Sequence, residues 1–136
     1  MKNLIVTFIL ALFSLFWGQA TFAQHQGDEV KAVKVSFITD MMKLSPAQAS
    51  QFWPVYNRYD NEMRNIRKGI RALTTEKGKT AEEIIDERQK LSEREVSIKA
   101  KYNEEFLKIV SAAQLNQMYA AEAKFRQYLL DRMKKK

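Results

Sequence analysis

The chain has no cysteine, one histidine, two prolines and four glycines in 136 residues. Without cysteine there is no disulfide, no thiol nucleophile and no thiolate metal site, so packing or oligomerisation must hold the fold together. The single histidine, His25, stands near the start of the chain, so the remainder cannot assemble a Ser-His-Asp or Cys-His constellation. Glycine-rich phosphate loops are missing. Strand-like alternation bounded by turn residues is missing too, and a chain that is 46% apolar and 29% charged with so few breakers predicts an all-α fold.

Only one long apolar run is present, at residues 4–17, preceded by Lys2 and followed by small residues ending at Ala23. That pattern is a secretory signal peptide over residues 1–23, cleaved after Ala23. The run of about 14 residues falls short of the roughly 20 that cross a bilayer as a helix, which disfavours an uncleaved anchor. No cysteine follows it to carry a lipid. Residues 24–28 then read as a flexible tail and 29–134 as one helical domain. The leader takes Lys2 and no acid with it, leaving 22 basic residues against 16 acidic ones. This moderate excess permits contact with acidic polypeptides or an anionic membrane surface and does not argue for nucleic acid.

Within the domain one phrase occurs twice, as KLSPAQASQFW at 43–53 and IVSAAQLNQMY at 109–119. In SPAQ, Ser45 is a preferred N-cap, Pro46 suits the first helical position, and Gln48 can reach back to the cap's backbone N–H. Ser111 and Gln114 repeat the arrangement in SAAQ, with Val110 and Leu115 spaced as a hydrophobic staple. TAEE at 80–83 is a third capping box, outside the repeat. Each box predicts a helix start, and replacing Ser45 or Ser111 by alanine is expected to cost about 1 kcal/mol.

Periodicity fills in the helices. A first covers residues 29–43, with Val30, Val33, Phe37, Ile38 and Met41 on one face. A second covers 46–73, where Phe52, Tyr56, Tyr59, Met63, Ile66, Ile70 and Leu73 form a heptad seam. Pro54 interrupts its backbone ladder, so a kink is expected there, with a full break as the alternative. A third spans 81–109 with Ile84, Leu91, Ile98, Tyr102, Phe106 and Ile109; Arg88 and Glu95 break its seam. The fourth, 112–133, presents Leu115, Met118, Tyr119, Phe125, Leu129 and Met133. A second helix of this length extends about 42 Å, longer than a small compact domain is wide. An elongated protomer with a long antiparallel helical hairpin follows. Trp53, Val55, Val96, Leu107 and Leu130 lie off the main stripes, and a symmetric dimer is the simplest way to cover them.

Candidate chemistry is sparse. Met41, Met42, Met63, Met118 and Met133 sit on helical stripes, where methionine fills cores more often than it binds copper; no metal and no cofactor are expected. Glu82, Glu83, Asp86 and Glu87 complement the dipole at the start of the third helix rather than pairing as catalytic carboxylates. Arg64, Arg67, Lys68 and Arg71 near the end of the second helix allow two readings. In one, the antiparallel hairpin pairs them with that acidic cluster. In the other, they form a basic stripe that attracts acidic unfolded chains, leaving nearby apolar groups to hold them. Trp53, one position off the seam, is a candidate for an exposed client or dimer patch.

The doubled phrase resembles the twice-occurring Leu-Thr-x-x-Gln signature of the Spy/CpxP family of periplasmic stress proteins. The first copy is Leu44, Ser45, Pro46, Ala47 and Gln48, with serine keeping the capping hydroxyl; the second is Val110, Ser111, Ala112, Ala113 and Gln114. FWPVYNRYD is similar to the version in Bacteroidetes members described as refolding chaperones or periplasmic heavy-metal sensors. The resemblance implies a four-helix protomer, an antiparallel cradle-shaped homodimer and a periplasmic location, and the missing reactive constellations add the expectation of no enzymatic activity. It also implies ATP-independent binding of unfolded or misfolded envelope proteins. A second reading is a sensor or regulatory module that contacts one membrane-bound stress sensor or anti-sigma factor.

Overall fold

The computed structural model describes residues 20–135, with side chains from residue 29 onward and at Gly27. Residues 1–19, most of the assigned leader, and the side chain of His25 lie outside what is described. Four helices make up the described chain: α1 (Ala20–Met42), α2 (Pro46–Ala72), α3 (Ala81–Phe106) and α4 (Ala112–Lys134). Among the described residues there is no strand, in agreement with the all-α expectation. α1 begins well before residue 29, and residues 24–28 continue it. α3 ends at Phe106 instead of 109, where a turn leads to the second phrase.

All three capping boxes close. Ser45, Thr80 and Ser111 each adopt extended backbone and accept a hydrogen bond from the N–H three residues on, while the third residue's side chain accepts from the cap N–H. Pro54 lies inside α2 on an exposed position and does not break the helix, so the full-break alternative is excluded. α1 ends at Lys43, which takes a left-handed φ of 49° and so reverses the chain towards Ser45.

α2 packs along α3, and α1 along α4. Both pairs run antiparallel, since Phe52 meets Phe106 and Tyr59 meets Tyr102, while Met42 meets Gln114 and Phe37 meets Phe125 and Tyr128. Gly69 faces Leu91, and a Cβ there would stand 3.1 Å from the leucine's methyl carbon, so the glycine is what lets the two helices approach at this level. The core gathers Ile38 and Met42 from α1, the Phe52 to Ile66 seam of α2, Ile98, Tyr102 and Phe106 of α3, and Leu115, Met118 and Ala121 of α4. Met42, Met63 and Met118 are buried in it as filler.

The uncovered residues divide. Val96, Leu107 and Leu130 are 68%, 50% and 51% exposed, as their positions off the stripes predict. Val55, by contrast, is buried and belongs to the core, and Val30, expected on the inner face of α1, is exposed. The reason for Val55 is that α2 is flanked by more than one helix, so its buried arc is wider than a two-helix seam requires.

Candidate functional site: a locked repeat and an unpaired basic helix end

The two copies of the phrase face each other across the molecule. The Gln48 side-chain amide donates to Gln114 Oε1 at 3.0 Å, and Gln114 donates back to Gln48 Oε1 at 3.1 Å. Each amide spends its second hydrogen on the turn that precedes the other phrase: Gln48 donates to the Ile109 carbonyl and Gln114 to the Met42 carbonyl, both at 3.3 Å. Each Oε1 also accepts from its own cap, Ser45 N–H at 3.2 Å or Ser111 N–H at 3.0 Å. Every donor and acceptor site of both amides is therefore filled. The phrase is spelled twice because each copy completes the other, tying the end of α1 to the start of α4 and the end of α3 to the start of α2. Val110 and Leu115 are both buried beside it, and Leu44 packs half-buried against the core.

This geometry calls for glutamine. A carboxylate at either position has no hydrogen to donate, so its oxygens are set against the other glutamine's Oε1 and the facing carbonyl with no proton between them. The third box uses Glu83, which faces no partner copy; its carboxyl pKa is held below the ordinary range by the hydrogen bonds from Thr80 N–H and hydroxyl.

Next to the lock lies a polar network absent from the sequence-level expectations. Glu122 is 5% exposed and accepts a hydrogen bond from the Tyr56 hydroxyl at 2.8 Å. Lys34 of α1 pairs with Asp60 of α2 and stands 3.9 Å from Glu122 of α4, so one ammonium joins three helices. Arg64 holds the other oxygen of Asp60 at 2.8 Å. Burial and then the Glu122 charge push the Tyr56 hydroxyl far above its ordinary pKa. Tyr59 is raised as well, mainly by burial, and its hydroxyl has no hydrogen-bond partner. Glu122 had a signal in the sequence: it falls four residues after Met118 and three before Phe125, on the core stripe of α4.

The basic residues of α2 do not pair with the acidic start of α3, which corrects the first of the two readings. Among the described residues no carboxylate comes within 4 Å of Arg67, Lys68 or Arg71, and Arg64 pairs only with Asp60 on its own helix. Glu87 is taken by Lys79 and Glu83 by the Thr80 cap. The ion pairs that do join α2 to α3 lie elsewhere, Arg58 with Glu105 at 2.8 Å and Lys101 with Glu62 at 3.5 Å. Arg71 instead donates through Nε to the Arg67 carbonyl, a contact with its own helix.

Trp53 is half-buried, edge-on to Phe52 and Tyr56 with centroids 5.1 and 5.5 Å away. It is packed against the core and stands about 27 Å along α2 from Arg71, so the structure does not bring it together with the basic cluster. No helix of the described residues is long and apolar enough to cross a membrane. Comparison with protein-family models, with curated proteins and with solved structures finds no match to this chain.

Proposed function

We propose that this protein is an exported, non-enzymatic chaperone or envelope-stress adaptor of the Spy/CpxP type, acting in the periplasm without ATP on unfolded or misfolded envelope proteins. The observation that carries the reading is the unpaired basic end of α2. Arg67, Lys68 and Arg71 have no carboxylate partner among the described residues, and at the same end of the α2–α3 pair Ile85 is 65% exposed. Long-range attraction draws an acidic, unfolded chain in, and the apolar neighbour holds it; such binding is weak, tolerant of sequence and weakened by salt.

The test is suppression of light scattering by an aggregating model client, with the protein in a few-fold excess. Suppression at low salt that is lost in R67E/K68E/R71E supports the reading. No suppression at low salt overturns it.

Self-association belongs to the same proposal. Ile85, Val96 and Leu107 recur every eleven residues, about three helical turns, on the side of α3 opposite Leu91 and Ile98. A second copy laid over this stripe makes the elongated cradle. Glu82, Glu93 and Glu104 run along one edge of the stripe, and Arg88 and Lys99 along the other. In an antiparallel α3-to-α3 contact like edges meet, glutamates against glutamates, so salt strengthens the dimer by screening. Sedimentation at low and high salt reads this directly, and a dimer that weakens with salt requires a different contact.

A further inference from the structure

α4 changes character along its length. Leu115, Met118, Ala121, Glu122 and Phe125 are buried and Tyr128 and Leu129 half-buried, whereas every described residue from 130 to 135 is exposed. Two of these are large and apolar, Leu130 at 51% and Met133 at 73% exposure. Around them stand Lys124, Arg126, Arg132, Lys134 and Lys135, against the single acid Asp131. Among the described residues none of these five cations has a carboxylate within 4 Å. Asp131 takes a hydrogen bond from Gln127, and Arg132 lies over the Tyr128 ring and donates to its hydroxyl.

The arrangement selects among anionic partners. At 100° per residue, Arg126, Leu130, Met133 and Lys134 share one face, with a cation one turn to either side of Leu130. Arg132 and Lys135 fall together on the opposite face of the helix end, with Lys124 on that same face about three turns earlier. An acidic peptide laid along one face meets the cations of that face and leaves those of the opposite face unmatched. A lipid surface met by the tip offers headgroups to the cations of both faces there, Lys134 as well as Arg132 and Lys135, and admits Leu130 and Met133 to the level where headgroups give way to acyl chains. From the exposed apolar pair and its ring of unpaired cations, we infer that the end of α4 docks peripherally on an anionic bilayer surface, with phospholipid headgroups as the ligand. The inference does not depend on the chaperone reading.

Flotation with vesicles tests it, using protein purified from the exported fraction of cells that express the full chain. At low salt the protein floats with phosphatidylglycerol-containing vesicles and stays behind with phosphatidylcholine alone. Each surface cation contributes about a fivefold factor, so K134Q/K135Q binds about 25-fold more weakly. L130S/M133S weakens binding at both low and high salt, because its loss is of insertion and not of charge. Circular dichroism confirms that the variants keep their helicity, as substitutions at exposed positions should. Equal flotation with neutral vesicles, or binding unchanged in K134Q/K135Q, overturns the inference. So does a charge-dependent complex with poly-glutamate in the absence of vesicle binding, which assigns the helix end to a protein partner.

Discussion

Replacing Gln114 with alanine removes one side of the amide pair and leaves four groups without their partners: the Ser111 N–H, the Met42 carbonyl, and the donor and acceptor of Gln48 that faced it. The site is half-buried, so water repairs part of the loss. At about 0.5–1.5 kcal/mol per hydrogen bond, with that discount, the single substitution costs about 2 kcal/mol. Q48A costs a similar amount for the same reasons. The two bonds between the amides are lost in either variant, so the double variant costs less than the sum by about 1 kcal/mol. Urea unfolding followed by far-ultraviolet circular dichroism at neutral pH gives all four corners of the cycle. S45A serves as a reference, because it removes only a cap and costs about 1 kcal/mol. Strict additivity of Q48A and Q114A, within about 0.4 kcal/mol, would refute the claim that the two phrases complete one another. The glutamate variants sharpen the test. Q48E and Q114E keep the acceptor for the cap N–H but lose both donors, so each destabilises the fold, whereas E83Q, at a box with no facing copy, keeps an acceptor for the Thr80 N–H and costs less.

Tyr59→Phe removes a buried hydroxyl that has no partner, so it leaves stability unchanged or raises it by up to about 1 kcal/mol in urea unfolding; a loss of similar size shows that the hydroxyl is bonded. Lys34→Met strands two largely buried carboxylates, and because Asp60 keeps Arg64 the cost is about 2 kcal/mol, below the full penalty of an orphaned buried charge. The midpoint of thermal unfolding reports it, and an unchanged midpoint contradicts the three-helix clamp. The Glu62 carboxyl is held below its ordinary pKa of 4.5, chiefly by the hydrogen bond from the Tyr102 hydroxyl. A depressed folded pKa means stability that is fully present above the ordinary value and lost as pH falls through the folded one. Tyr102→Phe is therefore less stable than wild type at pH 7, and the gap narrows as the pH falls below 4.5. Parallel unfolding curves from neutral to acid pH check the sign, and a gap that widens in acid reverses the argument.

Local chemistry made the helices readable, because each start is written in a few adjacent residues: a hydroxyl, a tolerant first position and a side chain that reaches back. The interior of α2 was equally plain, since Phe52, Tyr56, Tyr59 and Met63 hold a period that only a helix brings to one side. What the sequence concealed was which helix meets which. Ser45 and Ser111 are recognisable caps one at a time, but nothing in either phrase announces that Gln48 will meet Gln114 at a separation of 66 residues. The ion-pair expectation for Arg67, Lys68 and Arg71 failed for the same reason. Gly69 meets Leu91, so in the antiparallel pair Glu82, Glu83, Asp86 and Glu87 stand level with the loop after α2 and not beside Arg67 and Lys68. Glu83 and Glu87 are in addition committed to Thr80 and Lys79.

That competition also bears on function. A carboxylate three residues after a cap, as Glu83 is, belongs to the cap and does not neutralise cations on another helix. Lys68 and Arg71 of α2 are left with their charge directed outward, while Arg67 is half-buried, and the charges at the end of α4 also face outward, where the lone acid is outnumbered. The inner sides of the four helices tell the opposite story: Lys34 is enclosed by Asp60 and Glu122, and each glutamine of the lock has its bonds filled. Among the described residues, polar side chains that face inward are matched, with the Tyr59 hydroxyl as the exception, and so act on stability. The unmatched cations face outward, so they act on whatever the protein meets, and substituting them should change binding while leaving the unfolding midpoint nearly where it was.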